Sequence, residues 1–94
     1  MNNTIPSVLA AMQVVDTLAG QTPGLSQAAL AKALGLSPST TYRILRSLAV
    51  QGWVAKSDDG LYALSTGLLP VFHACEKSLG RLDHACDALR AIAT

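Results

Sequence analysis

The sequence predicts a mostly α-helical domain that carries one small β-hairpin. Within residues 7–51, three segments repeat their apolar side chains at helical spacing, and each is bounded by capping or helix-breaking residues. After Gly52 the period changes to alternation, and two short alternating runs flank residues 57–60. Helical spacing then returns from residue 66. Three helices, a hairpin and further helix therefore follow one another along the chain.

The first two predicted helices are delimited by capping signals. The first spans residues 7–20 and ends at Gly20. We expect its buried stripe to consist of these apolar residues: Val8, Leu9, Met12, Val15, Leu18 and Ala19. The second helix spans residues 27–34, because Ser26 is a favoured N-cap and Gly35 stands where helices often end in the left-handed conformation.

The third predicted helix, residues 38–51, divides into an apolar and a polar face. Ser37 can cap it, and Pro38 takes the first helical position, where its missing N–H costs nothing. The apolar face carries Thr41, Ile44, Leu45 and Leu48. The polar face carries Ser39, Tyr42, Arg43 and Arg46. No acidic residue occurs between Pro38 and Lys56, so this face is suited to phosphates and base edges.

The second and third helices meet the requirements of a helix-turn-helix. They are joined by the turn Gly35-Leu36-Ser37, whose glycine tolerates a positive φ, and Ala31 supplies a small side chain where the helices cross. The hairpin runs, residues 53–56 and 61–64, flank Asp59-Gly60, which is a strong hairpin signal. The predicted fold is therefore a winged helix-turn-helix, which is three helices plus a wing, followed by C-terminal dimerisation helices.

Basic side chains concentrate in the N-terminal part of the chain. Residues 1–57 carry four Lys and Arg side chains against one acidic side chain, whereas residues 58–94 carry three against five. This distribution favours nucleic-acid binding by the N-terminal part. We therefore predict double-stranded DNA as the partner, with the third helix in the major groove. The predicted DNA-binding residues are Ser37, Ser39, Thr40, Tyr42, Arg43, Arg46 and Lys56.

The C-terminal part is expected to pair two copies of the chain. We predict a winged helix-turn-helix domain over residues 1–65 and a helical linker or dimerisation segment over residues 66–94. The apolar stripe of the segment is larger than so small a domain can cover alone, so we expect a homodimer. Gly80 leaves open whether the segment forms one helix or two.

Several stretches resemble the IclR-type transcriptional regulators. The recognition helix of that family resembles residues 35–48, GLSPSTTYRILRSL. Shorter matches are Ser7-Val8-Leu9, Leu25-Ser26, Gly52-Trp53-Val54 and Tyr62-Ala63-Leu64. The resemblance covers about residues 7–80. It implies a winged helix-turn-helix and a helical linker that pairs two subunits, with operator binding as a dimer or a dimer of dimers.

The sequence departs from the family pattern in three ways. The family normally continues into a large effector-binding domain, so no small-molecule effector site is expected within these 94 residues. Thr41 stands where the family often has an aliphatic residue. Asp58 and Asp59 make the tip of the wing acidic, so we expect the wing to contribute little beyond Lys56.

A protein-interaction module without direct DNA readout is the alternative interpretation, because fold alone does not fix function. It would use the apolar faces of residues 66–93 and leave Arg43 and Arg46 as solvated surface. A metal site is not expected from the repeated His73-Ala74-Cys75 and His84-Ala85-Cys86, since residues two apart on a helix point about 200° apart. No Gly-rich phosphate loop or nucleophile–base set is evident, so we expect neither enzymatic activity nor a cofactor.

Composition argues against a membrane or exported protein. No apolar run approaches the roughly 20 residues that span a bilayer, and residues 1–4 contain no basic n-region. We therefore expect no membrane partner and a cytoplasmic location. Cys75 and Cys86 are the only cysteines. We expect both to lie on helices as buried, reduced thiols.

Overall fold

The computed structural model describes residues 3–79 and has the predicted winged helix-turn-helix architecture. The elements are α1 (Pro6–Leu18), β1 (Leu25–Ser26), α2 (Gln27–Leu34), α3 (Pro38–Val50), β2 (Val54–Lys56), β3 (Leu61–Leu64), a 3₁₀ turn (Thr66–Leu68) and α4 (Leu69–Leu79). The described chain is thus mostly helical with one small antiparallel sheet. The predicted helix over residues 81–93 lies outside the described residues, as do Gly80, His84 and Cys86.

The helix boundaries around the central turn follow the predicted caps. The Ser26 hydroxyl accepts a hydrogen bond from the Ala29 N–H at 3.1 Å, and the cap of α3 at Ser37 is equivalent. Gly35 ends α2 with a φ of 65°, in the left-handed region that favours glycine. The Leu36 N–H then donates to the Ala31 carbonyl at 2.9 Å. Satisfied backbone groups at each end fix where α2 stops and α3 begins.

The core lies where the three helices meet the sheet. Its most deeply buried side chains are Val14, Leu18, Leu30 and Leu45. Val54 and Tyr62 close it from the wing side. Burying a side chain of the Leu or Val type is worth about 1.5–3 kcal/mol, so this cluster provides most of the stability that a small domain has.

The buried face of α1 differs from the predicted one. The structure buries Ala10, Val14 and Leu18. Four residues that we expected in the core are instead exposed, namely Val8, Leu9, Met12 and Ala19. Of the predicted stripe, Leu18 is buried and Val15 packs against the core at partial burial. Apolar side chains surround much of this helix, so periodicity alone does not select the face that packs against α2 and α3.

A third strand, β1, was not predicted from the sequence. Leu25 and Ser26 pair antiparallel with Tyr62 and Leu61, so the sheet has the order β1-β3-β2. A strand of two residues shows no alternation that sequence analysis could detect, and it forms because β3 is already present. The strand attaches the start of α2 to the wing.

The segment after the wing starts as a 3₁₀ turn and continues as α4. Ser65 occupies the N-cap position of the 3₁₀ turn, and it makes no side-chain cap. No residue of α4 is buried within the chain. Cys75 is exposed, contrary to the expectation of a buried thiol, because nothing in the described chain covers this helix.

Candidate nucleic-acid interface

Helix α3 is held by one face and presents the other to solvent. Its buried face consists of Thr41, Ile44, Leu45 and Leu48, as predicted. Its exposed face carries Ser39, Tyr42, Arg43, Arg46 and Val50. Because the buried face packs against α1 and α2, the exposed side chains project from a rigid support.

The buried face of α3 contains one polar residue, Thr41, whose hydroxyl finds its hydrogen-bond partner at the start of the same helix. The side chain is fully buried, and its hydroxyl donates to the Ser37 carbonyl at 2.9 Å. The hydroxyl is thus satisfied one turn back along the helix, where threonine commonly makes this bond. The threonine at this position is therefore compatible with a tightly packed helix-turn-helix.

The start of α3 uses Ser37 as a structural cap. The Ser37 hydroxyl accepts from the Thr40 N–H at 3.1 Å, and its carbonyl accepts from the Thr41 N–H at 3.0 Å. The hydroxyl proton of Ser37 is still available to donate outward. Ser39 is exposed in the first turn, and Thr40 is half-buried at the edge of the exposed face.

The two arginines are exposed and carry no acidic partner within residues 3–79. In that part of the chain the ion pair is between His73 and Glu76, on α4, at 3.4 Å. Arg43 and Arg46 are separated by about 60° around the helix axis, on either side of the outward direction. Two guanidinium groups without a competing carboxylate are free to bind an external anion.

Arg43 also borders an open groove between α1 and α3, which has a volume of about 640 Å³. Ser7, Val8 and Ala11 form its α1 side, and Thr40, Ser47 and Trp53 belong to the other side. Arg43 lines this groove together with Ser7 and Val8, whereas Arg46 is not among the lining residues. The two guanidinium groups therefore have different surroundings.

Lys56 lies apart from the other predicted residues, at the end of β2. Its Nζ is 5.8 Å from the centre of the Tyr62 ring, within the range of a cation–π contact. Asp58 and Asp59 are exposed in the adjoining turn, where the Gly60 N–H donates to the Ser57 carbonyl at 2.9 Å. The wing thus offers one cation beside two acids.

A residue that sequence analysis missed, Gln27, links the two helices of the motif. Its Nε2 donates to the Pro38 carbonyl at 3.2 Å, across eleven positions of the chain. The sequence shows only that Gln27 is the first residue of α2, the helix that supports α3. A polar side chain there does not by itself show that it reaches the next helix.

Neither a metal cluster nor a membrane-spanning helix is found in residues 3–79. No group of three or more His, Cys, Asp or Glu side chains comes together there. No described helix has both the length and the apolar character needed to cross a bilayer.

Comparison with known proteins identifies the type of domain. Residues 7–58 match the family model of the IclR helix-turn-helix domain. Among solved structures, the fold is similar to an IclR transcriptional regulator from Alicyclobacillus acidocaldarius, with a TM-score of 0.68 and 27% identity, covering 72% of this chain and 28% of that one. No functionally curated protein matches the chain.

Two further solved structures share the fold at similar identity. Pseudomonas aeruginosa HmgR matches with a TM-score of 0.66 and 25% identity, over 79% of this chain and 31% of that one. The Agobacterium tumefaciens repressor BlcR matches with a TM-score of 0.63 and 25% identity, over 88% and 31%. The chain thus spans less than a third of the length of each of these structures.

Proposed function

The chain belongs to the family of IclR helix-turn-helix domains, and from this premise we propose that it is a sequence-specific transcriptional regulator that binds double-stranded DNA. The observation that carries the proposal is the exposed face of α3. This face presents Arg43 and Arg46, which have no acidic partner in the described chain. The opposite face of the helix is buried in the core. The helix-turn-helix is a motif that places its second helix in the major groove.

In the proposed complex, the N-terminal end of α3 points at the DNA. Free N–H groups at a helix start favour an adjacent phosphate, and Ser37 and Ser39 add hydroxyl donors for positioning. Tyr42 and Arg43 then face the base edges, and the fork of an arginine matches the O6 and N7 atoms of guanine. Thr40 lies at the edge of this contact.

The remaining cations would bind phosphates. Arg46 lies one turn beyond Tyr42, where a recognition helix leaves the groove, so we assign it to the backbone. Lys56 would add one phosphate contact from the wing, weakened by Asp58 and Asp59, which are exposed beside it. With so few cations per chain, non-specific affinity should be low and its dependence on salt shallow, because both follow the number of phosphates neutralised.

Selection from a random duplex pool tests the proposal directly. The full chain should retain mixed-sequence duplex on a filter at low salt, and repeated selection should converge on a shared sequence. The matched control is a chain with both Arg43→Ala and Arg46→Ala, which should select nothing above background. A native chain that retains no duplex at low salt would contradict DNA binding and favour the protein-interaction alternative.

We further propose that the chain binds as a homodimer. On α4, Leu69, Val71 and Phe72 are 48%, 51% and 49% exposed, and on α1 Val8 and Met12 are exposed as well. Large apolar side chains concentrated on two helices are costly in water and mark an interaction surface. A two-fold pairing would double the number of DNA contacts and match half-sites on one face of the duplex.

The dimer has its own test by sedimentation of the full chain at tens of micromolar. We expect a dimer for the native chain and a monomer for Phe72→Glu, because the buried face would receive an unpaired charge. The matched control is Lys77→Glu, which places a carboxylate elsewhere on the same helix and should leave the dimer intact. A native chain that sediments as a monomer would rule out this mode of binding.

A further inference from the structure

The hydrogen bond from Gln27 to Pro38 joins the N-terminal ends of the two helices of the motif. Gln27 is the first residue of α2 and is half-buried. Its Nε2 lies 3.2 Å from the carbonyl oxygen of Pro38, the first residue of α3, in a solvent-exposed hydrogen bond. We propose that Gln27 is a positioning residue for base readout, which fixes the angle at which α3 enters the DNA. The inference rests on the proposed function of α3.

Within residues 3–79 no other side-chain hydrogen bond ties the start of α3 to α2. Pro38 has no N–H group with which the backbone could be anchored, and Ser37 uses its hydroxyl on the Thr40 N–H within α3 itself. Ser26 likewise uses its hydroxyl on the Ala29 N–H within α2. Among the side-chain hydrogen bonds of residues 3–79, the one from Gln27 is what connects α2 with α3.

The other side-chain contacts between α2 and α3 are apolar. They hold the two helices together but constrain their relative orientation less. Leu30 and Leu45 are fully buried between the elements, while Leu34 and Leu36 pack at the edge. Apolar contacts are non-directional, whereas a hydrogen bond requires a defined distance and angle. The Gln27 bond therefore supplies the directional constraint at the end of α3 that faces the DNA.

Base readout depends on this constraint more than phosphate binding does. Arg43 lies five residues beyond Pro38, about 7.5 Å along the axis, and a site of this kind must be held to about 0.5 Å for its contacts to form. A long cation reaching a phosphate tolerates a larger displacement because its attraction falls slowly with distance. Loss of the Gln27 bond should therefore reduce discrimination between sequences and spare non-specific binding.

The test uses Gln27→Met in the full chain, because methionine keeps the unbranched length and removes the amide. Two affinities are measured, for the sequence selected from the pool and for mixed-sequence duplex. We expect the ratio between them to fall about twofold to tenfold, which corresponds to one hydrogen bond. Non-specific affinity and the slope against salt should stay close to the native values, while the melting temperature should fall by no more than about 4–8 °C, the shift expected for one hydrogen bond.

Gln21→Met is the matched control, since Gln21 is exposed in the loop after α1 and should change neither affinity. Gln27→Ala serves as a second variant and should give the same order of effects if the methionine variant folds poorly. An unchanged ratio would overturn the inference, and so would an equal fall in both affinities, which indicates a direct phosphate contact. Failure of the native chain to bind any duplex would instead refute the proposed function.

Discussion

Alanine in place of Gly67 should lower the free energy of unfolding by about 3 kcal/mol, which is large for a domain of this size. A Cβ at this position would lie 2.5 Å from the carbonyl carbon of Gly52, closer still to its oxygen, and 2.9 Å from the Gln51 oxygen. All three are backbone atoms that cannot turn aside. The Gly67 N–H also donates to the Gly52 carbonyl at 2.9 Å, so relieving the clash would break the bond.

Thermal unfolding followed by circular dichroism measures this effect, with all variants at one concentration because dimerisation stabilises. A loss of this size should lower the melting temperature by more than about 10 °C. Thr66→Ala is the matched control, since it removes atoms from an exposed neighbour, and it should shift the melting temperature by only a few degrees. A Gly67→Ala variant that melts with the native protein would show that the two segments are not in close contact.

Gly35→Ala separates steric clash from backbone strain. No atom lies within 4 Å of a Cβ built on Gly35, but its φ is 65°, which an L-residue adopts only at a cost of roughly 1–2 kcal/mol. Gly35→Ala should therefore lower the free energy of unfolding by less than Gly67→Ala. Gly35→Ala thus measures backbone strain alone, whereas Gly67→Ala measures the close contact of the 3₁₀ turn with Gly52 and Gln51.

Replacing each of the two arginines of α3 by alanine should change DNA binding in a different way. Arg43→Ala should cost roughly 1–3 kcal/mol on the selected sequence and relax preference at one base position, because it removes a bidentate contact to a base. Arg46→Ala should weaken binding to all sequences alike and reduce the slope against salt by about one per site, because it removes a phosphate contact. Affinities for selected and mixed duplex over a range of salt concentrations distinguish the two patterns.

Arg43→Lys is the sharper control for the base contact. Lysine keeps the charge but lacks the planar fork, so non-specific affinity and salt slope should stay near native values while base preference weakens. The assignment is reversed if Arg43→Ala leaves sequence preference intact and Arg46→Ala changes it. If neither variant alters DNA binding, α3 is not a recognition helix.

Short-range chemistry accounts for what could be predicted along the chain. Ser26, Ser37 and Gly35 act on backbone groups within four residues of themselves, so the ends of α2 and the start of α3 are readable from the sequence. The hairpin is equally local, because Asp59-Gly60 and the alternating runs on each side specify it together. The inward face of α3 follows from its strong separation into apolar and polar sides.

The predicted DNA-binding residues come from the same local pattern. All but Lys56 lie on α3 or at its cap, so placing one helix correctly places nearly the whole set on a single surface. Their roles in DNA binding remain predictions that the arginine variants test. Gln27 was missed because its partner is eleven residues away, across a turn.

Only the tertiary structure decided which face of α1 is buried, since both Val14 and the exposed Met12 are apolar and the choice depends on the shape of α2 and α3. It also created β1, whose two residues have no strand tendency to detect and pair only because β3 lies beside them. The contact of Gly67 with Gly52 arises in the same way. These features depend on contacts between residues that are distant in sequence. Such contacts stabilise them only after the core has assembled.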